Sequence, residues 1–136
     1  MSQTLQPSTG TSTTGMAPNV AAALSYVFAP IGGLVFFYAL EKENAFVRFH
    51  AAQSIVFGVA CIALSFAINI LFAILGSVPG LGLVSALIAV PVSLVVAVAE
   101  FVFWVMAVSK AYGDQEYQIP IIGAQARRLL LSAPPA

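Results

Sequence analysis

The sequence predicts an all-α integral membrane protein with three transmembrane helices and a short C-terminal interfacial segment. Three observations carry that prediction. Of 136 residues, 60% are hydrophobic and only 7% are charged, against roughly 25% charged in soluble domains. Mean hydropathy is +0.99. The apolar residues gather into three long runs that contain a single charge, Glu100. A soluble domain of this length leaves too much surface exposed to hide such a composition, whereas in lipid it needs no hiding. Helices are favoured because a backbone in hydrocarbon must satisfy its hydrogen bonds within the segment, and three strands cannot close a barrel.

The elements follow in order. Residues 1–18 are rich in Ser, Thr, Gly and Pro and carry no charge, the composition of a disordered tail. The tail reads as a plain extension or as a modified or partner-binding segment. It lacks the basic start and early apolar run of a signal peptide. The transmembrane domain covers 19–112, with spans at about 19–40, 45–76 and 81–112. Each offers the ~20 apolar residues that cross ~30 Å of hydrocarbon. Pro30 with Gly32 and Gly33 predicts a kink in the first helix, and Pro91 one in the third. Asn44 reads as the N-cap of the second helix. A helix from Ala45 to Gly76 is ~48 Å long, so its first two turns, AFVRFHA, stand in the headgroup layer. SVPGLG, Ser77 to Gly82, is the turn to the third helix. Gly113 and Asp114 end that helix. In the remaining segment, 113–136, Arg127 and Arg128 beside Leu129 to Leu131 suit headgroup anchoring or partner docking.

Charge sets the expected orientation. The basic residues are Lys42, Arg48, Lys110, Arg127 and Arg128. With three spans all five fall on one side, which places the N-terminus outside and the C-terminus in the cytoplasm. Arg48, Lys42, Lys110 and Trp104 are the expected interfacial anchors, with the Arg48 guanidinium reaching lipid phosphates. Small residues recur every fourth position at Ala21, Ser25, Ala29 and Gly33, and again at Ser85, Ala89, Ser93 and Ala97. The two ridges predict that helices one and three pack together.

Glu100 is the most informative single residue. A carboxylate inside a span is costly and stands as a functional hypothesis with a named partner. Counted from the Val108 end, it lies at a depth similar to Gln53 and Ser54, with His50 one turn nearer the surface. The intramembrane polar candidates are therefore Glu100, His50, Gln53 and Ser54, joined by a Glu100–His50 or Glu100–Gln53 hydrogen bond. That group reads as a proton or ion relay, as a polar staple between helices, or as a carboxylate reaching a cleft or subunit interface. Other chemistry is not expected. His50 and Cys61 are too few for a metal site, and no nucleophile set or phosphate loop is present. No catalytic residue, cofactor or metal is predicted, and zero net charge gives no field for nucleic acid.

Two motifs carry a resemblance. LEKENAFVRFHAAQSI opening a membrane helix, followed by a tryptophan-containing helix that ends in KAYGDQEYQIPIIG, resembles the Tic-twenty-like family. These are small membrane proteins of unknown function, grouped with the chloroplast inner-envelope import component. The resemblance covers roughly residues 20–124. Arg48, His50, Gln53 and Ser54 carry the first motif, and Lys110, Ala111, Tyr112, Pro120 and Gly123 the second. It implies a helical membrane protein whose Arg-Phe-His segment enters a helix from the cytoplasmic side, and it brings no catalytic residues. The expected function is a non-enzymatic scaffold or accessory subunit of a membrane complex, translocation included. The alternative is a homo-oligomeric pore or transporter subunit with Glu100 as its proton or ion site. Expected partners are the bilayer and either further copies of the chain or other membrane proteins.

Overall fold

The computed structural model describes residues 12–132. Among them the secondary structure is helical throughout: α1 (Pro18–Val27), α2 (Ile31–Leu34) continuing into a π-helical stretch (Val35–Leu40), α3 (Ala45–Ser77), α4 (Gly82–Tyr112) and α5 (Ile122–Ser132). The chain forms two compact units. One contains the residues up to Gly58 and those from Trp104 onward; the other is Val59–Phe103.

The long helices α3 and α4 are apolar enough to cross a membrane, with hydropathy 2.5 over their best windows. Only 11% and 6% of those windows is buried, the reverse of a soluble core helix, so their surfaces require an apolar surrounding. The start of α3 is set locally: Asn44 Oδ1 accepts from the Phe46 and Val47 N–H groups at 3.1 and 3.2 Å, the geometry of an N-cap. The end of α4 is closed by the Gln115 N–H donating to Lys110 O at 2.8 Å, with Asp114 at φ 57°.

The first apolar segment departs from expectation. Instead of one kinked helix over 19–40, it is a folded-back hairpin. α1 stops at Val27, Pro30 offers no N–H to continue it, and the chain reverses before α2. The two ends of the segment meet: the Thr13 N–H and Oγ1 donate to the Glu41 carboxylate at 2.8 and 2.6 Å. A single crossing would hold these residues ~30 Å apart. Two long helices therefore stand where three were expected. The expected tail also ends earlier. Residues 1–11 lie outside the described part, while Ser12 to Ala17 make a turn in which Ser12 Oγ donates to Met16 O at 2.8 Å. Ser and Thr hydroxyls that read as disorder here cap and clamp.

The hairpin packs on the head of α3 through close backbone approach. A Cβ added at Gly33 would lie 2.6 Å from Ala51 O, and one at Gly58 would lie 2.5 Å from Pro30 N. The Ser54 hydroxyl donates to Ser25 O at 2.5 Å. The small-residue ridge of the first segment thus seats on α3. The second ridge meets α3 as well, in the other unit, where Ser85 Oγ donates to Phe72 O at 2.9 Å. In place of the expected pairing of the ridges with each other, the contacts shown are with α3: Ser25 and Gly33 for the first ridge, and Ser85 for the second, whose Ser93 and Ala97 are exposed.

Candidate functional site

The densest polar chemistry lies at the head of α3, where the chain puts Tyr26, His50 and Gln53 out of contact with solvent. Their spacing explains why they converge: His50, Gln53 and Ser54 are three and four residues apart and share one helix face. That face meets α1 on one side and the segment after α4 on the other. The Gln115 carbonyl can only accept, so His50 Nε2 carries the ring hydrogen and donates to it at 3.2 Å. His50 Nδ1 then accepts from the Tyr26 hydroxyl at 2.9 Å. The Tyr26 oxygen accepts from Gln53 Nε2 at 2.7 Å, whose other hydrogen goes to Tyr117 O at 2.9 Å. Gln53 Oε1 closes the set by accepting from the Ile119 N–H at 3.0 Å. Trp104 Nε1 donates to the Tyr26 carbonyl at 2.8 Å.

Donor is matched to acceptor along the whole chain of bonds, which is the condition for burying so many polar groups. Phe46, Phe49 and Tyr26 surround the imidazole edge to face, with ring centroids 4.6, 5.4 and 5.7 Å away. The arrangement holds one neutral tautomer and one backbone path. Its groups are committed to one another, so it joins α1, α3 and the segment 115–119 rather than presenting a reactive atom.

Two clamps flank this network. At one, Glu41 is fully buried and accepts from Thr13 and from the Glu43 and Asn44 N–H groups at 3.1 and 2.9 Å. Burial pushes its carboxyl upward, but the hydrogen bonds from Thr13, Asn44 and Glu43 prevail and hold it below the usual carboxylate range. Arg48 lies beside it, Nη1 donating to Phe37 O and Glu41 O at 3.1 and 2.9 Å, with the guanidinium 4.5 Å from the Phe37 ring centroid. At the other clamp Arg127 of α5 pairs with Glu116 and sits 5.0 Å from the centroid of Phe49.

The second unit holds a different site. Cys61, Ile62, Ser65, Phe66, Asn69 and Glu100 line an open groove of about 470 Å³ between α3 and α4. The Cys61 thiol hydrogen-bonds to the Glu100 carboxyl. Glu100 Oε1 is buried and has no hydrogen-bond partner among the described residues.

These sites sort the residues singled out from sequence. His50 and Gln53 belong to the closed network and Ser54 to the hairpin contact, while Glu100 takes Cys61 as neighbour. In place of the expected Glu100–His50 or Glu100–Gln53 bond, His50 and Gln53 take their partners from α1 and the segment 115–119. Counted from the turn that both helices share, Glu100 is level with Val59. Arg48 is bonded to backbone carbonyls, and Trp104 is bonded to α1. Lys42 donates to Tyr38 O, and Lys110 lies in the last turn of α4. Sequence reasoning missed Tyr26, Thr13, Glu41, Gln115 and Tyr117. A tyrosine inside an uncharged run was the one available signal, since its hydroxyl needs a partner when buried.

Residues 11–125 match the magnetosome magnetite crystal formation protein family. The chain belongs to this family. Similarity to curated proteins points the same way. A UPF0132 membrane protein of Methanocaldococcus jannaschii is 36% identical over 115 residues, covering 84% of this chain and 89% of the relative. A UPF0132 membrane protein of Archaeoglobus fulgidus is 36% identical over 112 residues, covering 79% and 90%. A second M. jannaschii protein of that name is 30% identical over 114 residues, covering 84% and 71%. The family match spans the hairpin, both long helices and the 115–119 segment, and so takes in the whole polar network. These relatives establish a small membrane protein family. No solved structure matches the chain.

Proposed function

We propose that this family member is a non-enzymatic membrane scaffold, an accessory subunit on which a membrane complex is assembled. The observation that carries the proposal is the closed network of Tyr26, His50 and Gln53. It spends the unit's buried polar groups on fixing a hairpin and the 115–119 segment to α3. Relatives named as membrane proteins support the bilayer as its place. The family description names crystal formation, a process that a membrane protein can serve by organising a surface.

In this reading α3 and α4 span, and the first segment enters and returns on one side as a re-entrant hairpin. The arms of the hairpin are helical and satisfy their backbone within the segment, with Ala21, Ala22, Ser25, Tyr26 and Phe37 covered and the bend at Phe28 exposed. Both termini and all five basic residues then share the cytoplasmic side, and the uncharged turn after Ser77 is outside. Lys42 and Lys110 anchor at the headgroup layer. Cysteines placed singly at positions 8 and 133, in a Cys61→Ser background, are expected to be labelled from the cytoplasmic side only. Labelling from opposite sides restores the three-span topology and overturns this one. Purification in mild detergent is expected to recover the protein in a stable assembly; a monodisperse lone subunit at working concentrations overturns the scaffold.

A second reading, an oligomeric pore with Glu100 as its proton or ion site, draws on the Glu100 oxygen that lacks a partner. Ion flux through liposomes carrying the purified protein, abolished by Glu100→Gln, is its test.

A further inference from the structure

We propose that two exposed apolar corners are seated in the cytoplasmic face of the bilayer, at the boundary between headgroups and acyl chains. One is the hairpin bend at Phe28 and Ile31, the other the Pro120–Ile121 corner ahead of α5. The inference rests on the reading of α3 and α4 as spans and names the lipid surface on which the hairpin and the 115–119 segment are held.

Three observations meet there. The first is what the corners expose. Phe28, Ile31 and Ile121 are 73%, 66% and 84% exposed, and the stretches 17–40 and 117–126 around them hold no charged residue. A lone exposed apolar side chain is ordinary, so conformation and placement have to decide.

The second is the backbone at Ile121. Its φ is 68°, a region that Gly, Asn and Asp enter readily and a β-branched residue does not. The corner is nonetheless fixed. The Ile119 N–H donates to Gln53 Oε1 at 3.0 Å, and the Ile122 and Gly123 N–H groups donate to Pro120 O and Ile119 O, each at 2.8 Å. In water Asn or Gly would fill this position without strain. An isoleucine held there and left outside the protein's own packing points to an apolar surrounding.

The third is level. The part of α3 from Val59 to Ser77 rises ~28 Å, which matches the ~30 Å of hydrocarbon. Residues of α3 just before Val59 therefore enter the headgroup layer. The hairpin bend is fixed to the last of them, since a Cβ at Gly58 would lie 2.5 Å from Pro30 N. The segment 115–119 runs along α3 from His50 to Gln53, toward Gly58, and ends at the second corner. Gln53 is ~8 Å from Gly58 along the helix, and two residues beyond Ile119 extend up to ~7 Å, so Ile121 comes within reach of the acyl boundary. Apolar side chains at that level sink ~5–10 Å into the boundary, which covers them without a protein partner.

The test places single cysteines in the full-length chain, Phe28→Cys and Ile121→Cys, in a Cys61→Ser background. Both positions are exposed, so the substitutions leave the packing of the chain alone. Each carries a polarity-sensitive fluorophore in phosphatidylcholine–phosphatidylglycerol vesicles with iodide on both sides. Emission is expected to be blue-shifted, and quenched several-fold more by lipids brominated near the headgroup end of the chain than by iodide. Gln125→Cys, exposed on α5, is the water reference. Leu94→Cys, exposed on α4, is the bilayer reference. Iodide quenching at either corner equal to that of Gln125→Cys overturns the proposal, and so does a corner shielded from both quenchers, which marks a protein contact. Iodide quenching at Leu94→Cys overturns the spanning assignment itself, and this inference with it.

Discussion

The network at His50 and the groove at Glu100 both draw on α3, one in each of the two units. They resolve the problem of buried polarity in opposite ways. Around His50 each donor finds an acceptor from another element of the same chain. Around Glu100 a carboxylate oxygen is left over. The comparison teaches that one stretch of helix can serve as internal mortar at its head and as an outward offer further down. What decides between them is whether the chain folds a third element over the face. The hairpin and the segment 115–119 cover the first site; among the described residues only α3 and α4 line the second.

The comparison can be broken by mutation. The largest effect is expected at Gln53. Gln53→Leu removes three hydrogen bonds and strands the Ile119 N–H and the Tyr117 carbonyl, a loss on the order of 3 kcal/mol. Unfolding in detergent, followed by Trp104 fluorescence, should show a lower midpoint and a red-shifted start; an unchanged midpoint means the network does not hold the unit. Next comes Gly58→Ala, whose added carbon meets Pro30 and should cost about 1–3 kcal/mol by overpacking. Limited proteolysis should then cut the hairpin near Phe28 before α3 or α4. A scan at Val59 to Ala63 sharpens the boundary, because alanine there should leave the cleavage pattern unchanged.

Acid sharpens the same contrast from the Glu41 side. Its folded value lies below its unfolded one, so its contribution is complete above the ordinary carboxylate range and is lost as pH falls through the folded value. Amide exchange at Thr13 should accelerate only at that low pH, and Glu41→Gln should show the fast rate at neutral pH. Persistent protection of Thr13 in strong acid contradicts the clamp. The smallest effect belongs to Glu100→Gln, which should shift the unfolding midpoint of the isolated chain by no more than about 0.5 kcal/mol.

Hydropathy made α3 and α4 legible almost to the residue, because long uncharged runs have few other solutions in lipid. Asn44 as the cap of α3 was legible for the same local reason. Hydropathy records length and not direction, so the first segment reads as a crossing with no more than a kink at Pro30, Gly32 and Gly33. The contact that reveals its return joins Thr13 to Glu41, twenty-eight residues apart, and no periodicity announces such a pair. His50, Gln53 and Ser54 stand out in the sequence as polar residues on an apolar helix, and all three are buried. Their partners were not legible, because four of them are main-chain atoms of Ser25, Gln115, Tyr117 and Ile119, and a backbone carbonyl or N–H has no signature in sequence. Arg48 was read by its charge, whereas its geometry is set by the two carbonyls it bridges.

The closure of the hairpin by late residues has a consequence for the order of assembly. The hairpin leaves the ribosome before α3 and α4, yet its Tyr26 hydroxyl waits for His50 and Gln53, and its Tyr26 carbonyl waits for Trp104. Gln53 in turn waits for Tyr117 and Ile119. A segment made before both long helices is thus completed only after them. Until the final thirty or so residues arrive, it must be sheltered at the membrane surface or by another protein, and a chain ending at Tyr112 would possess both long helices while lacking the means to finish its own beginning.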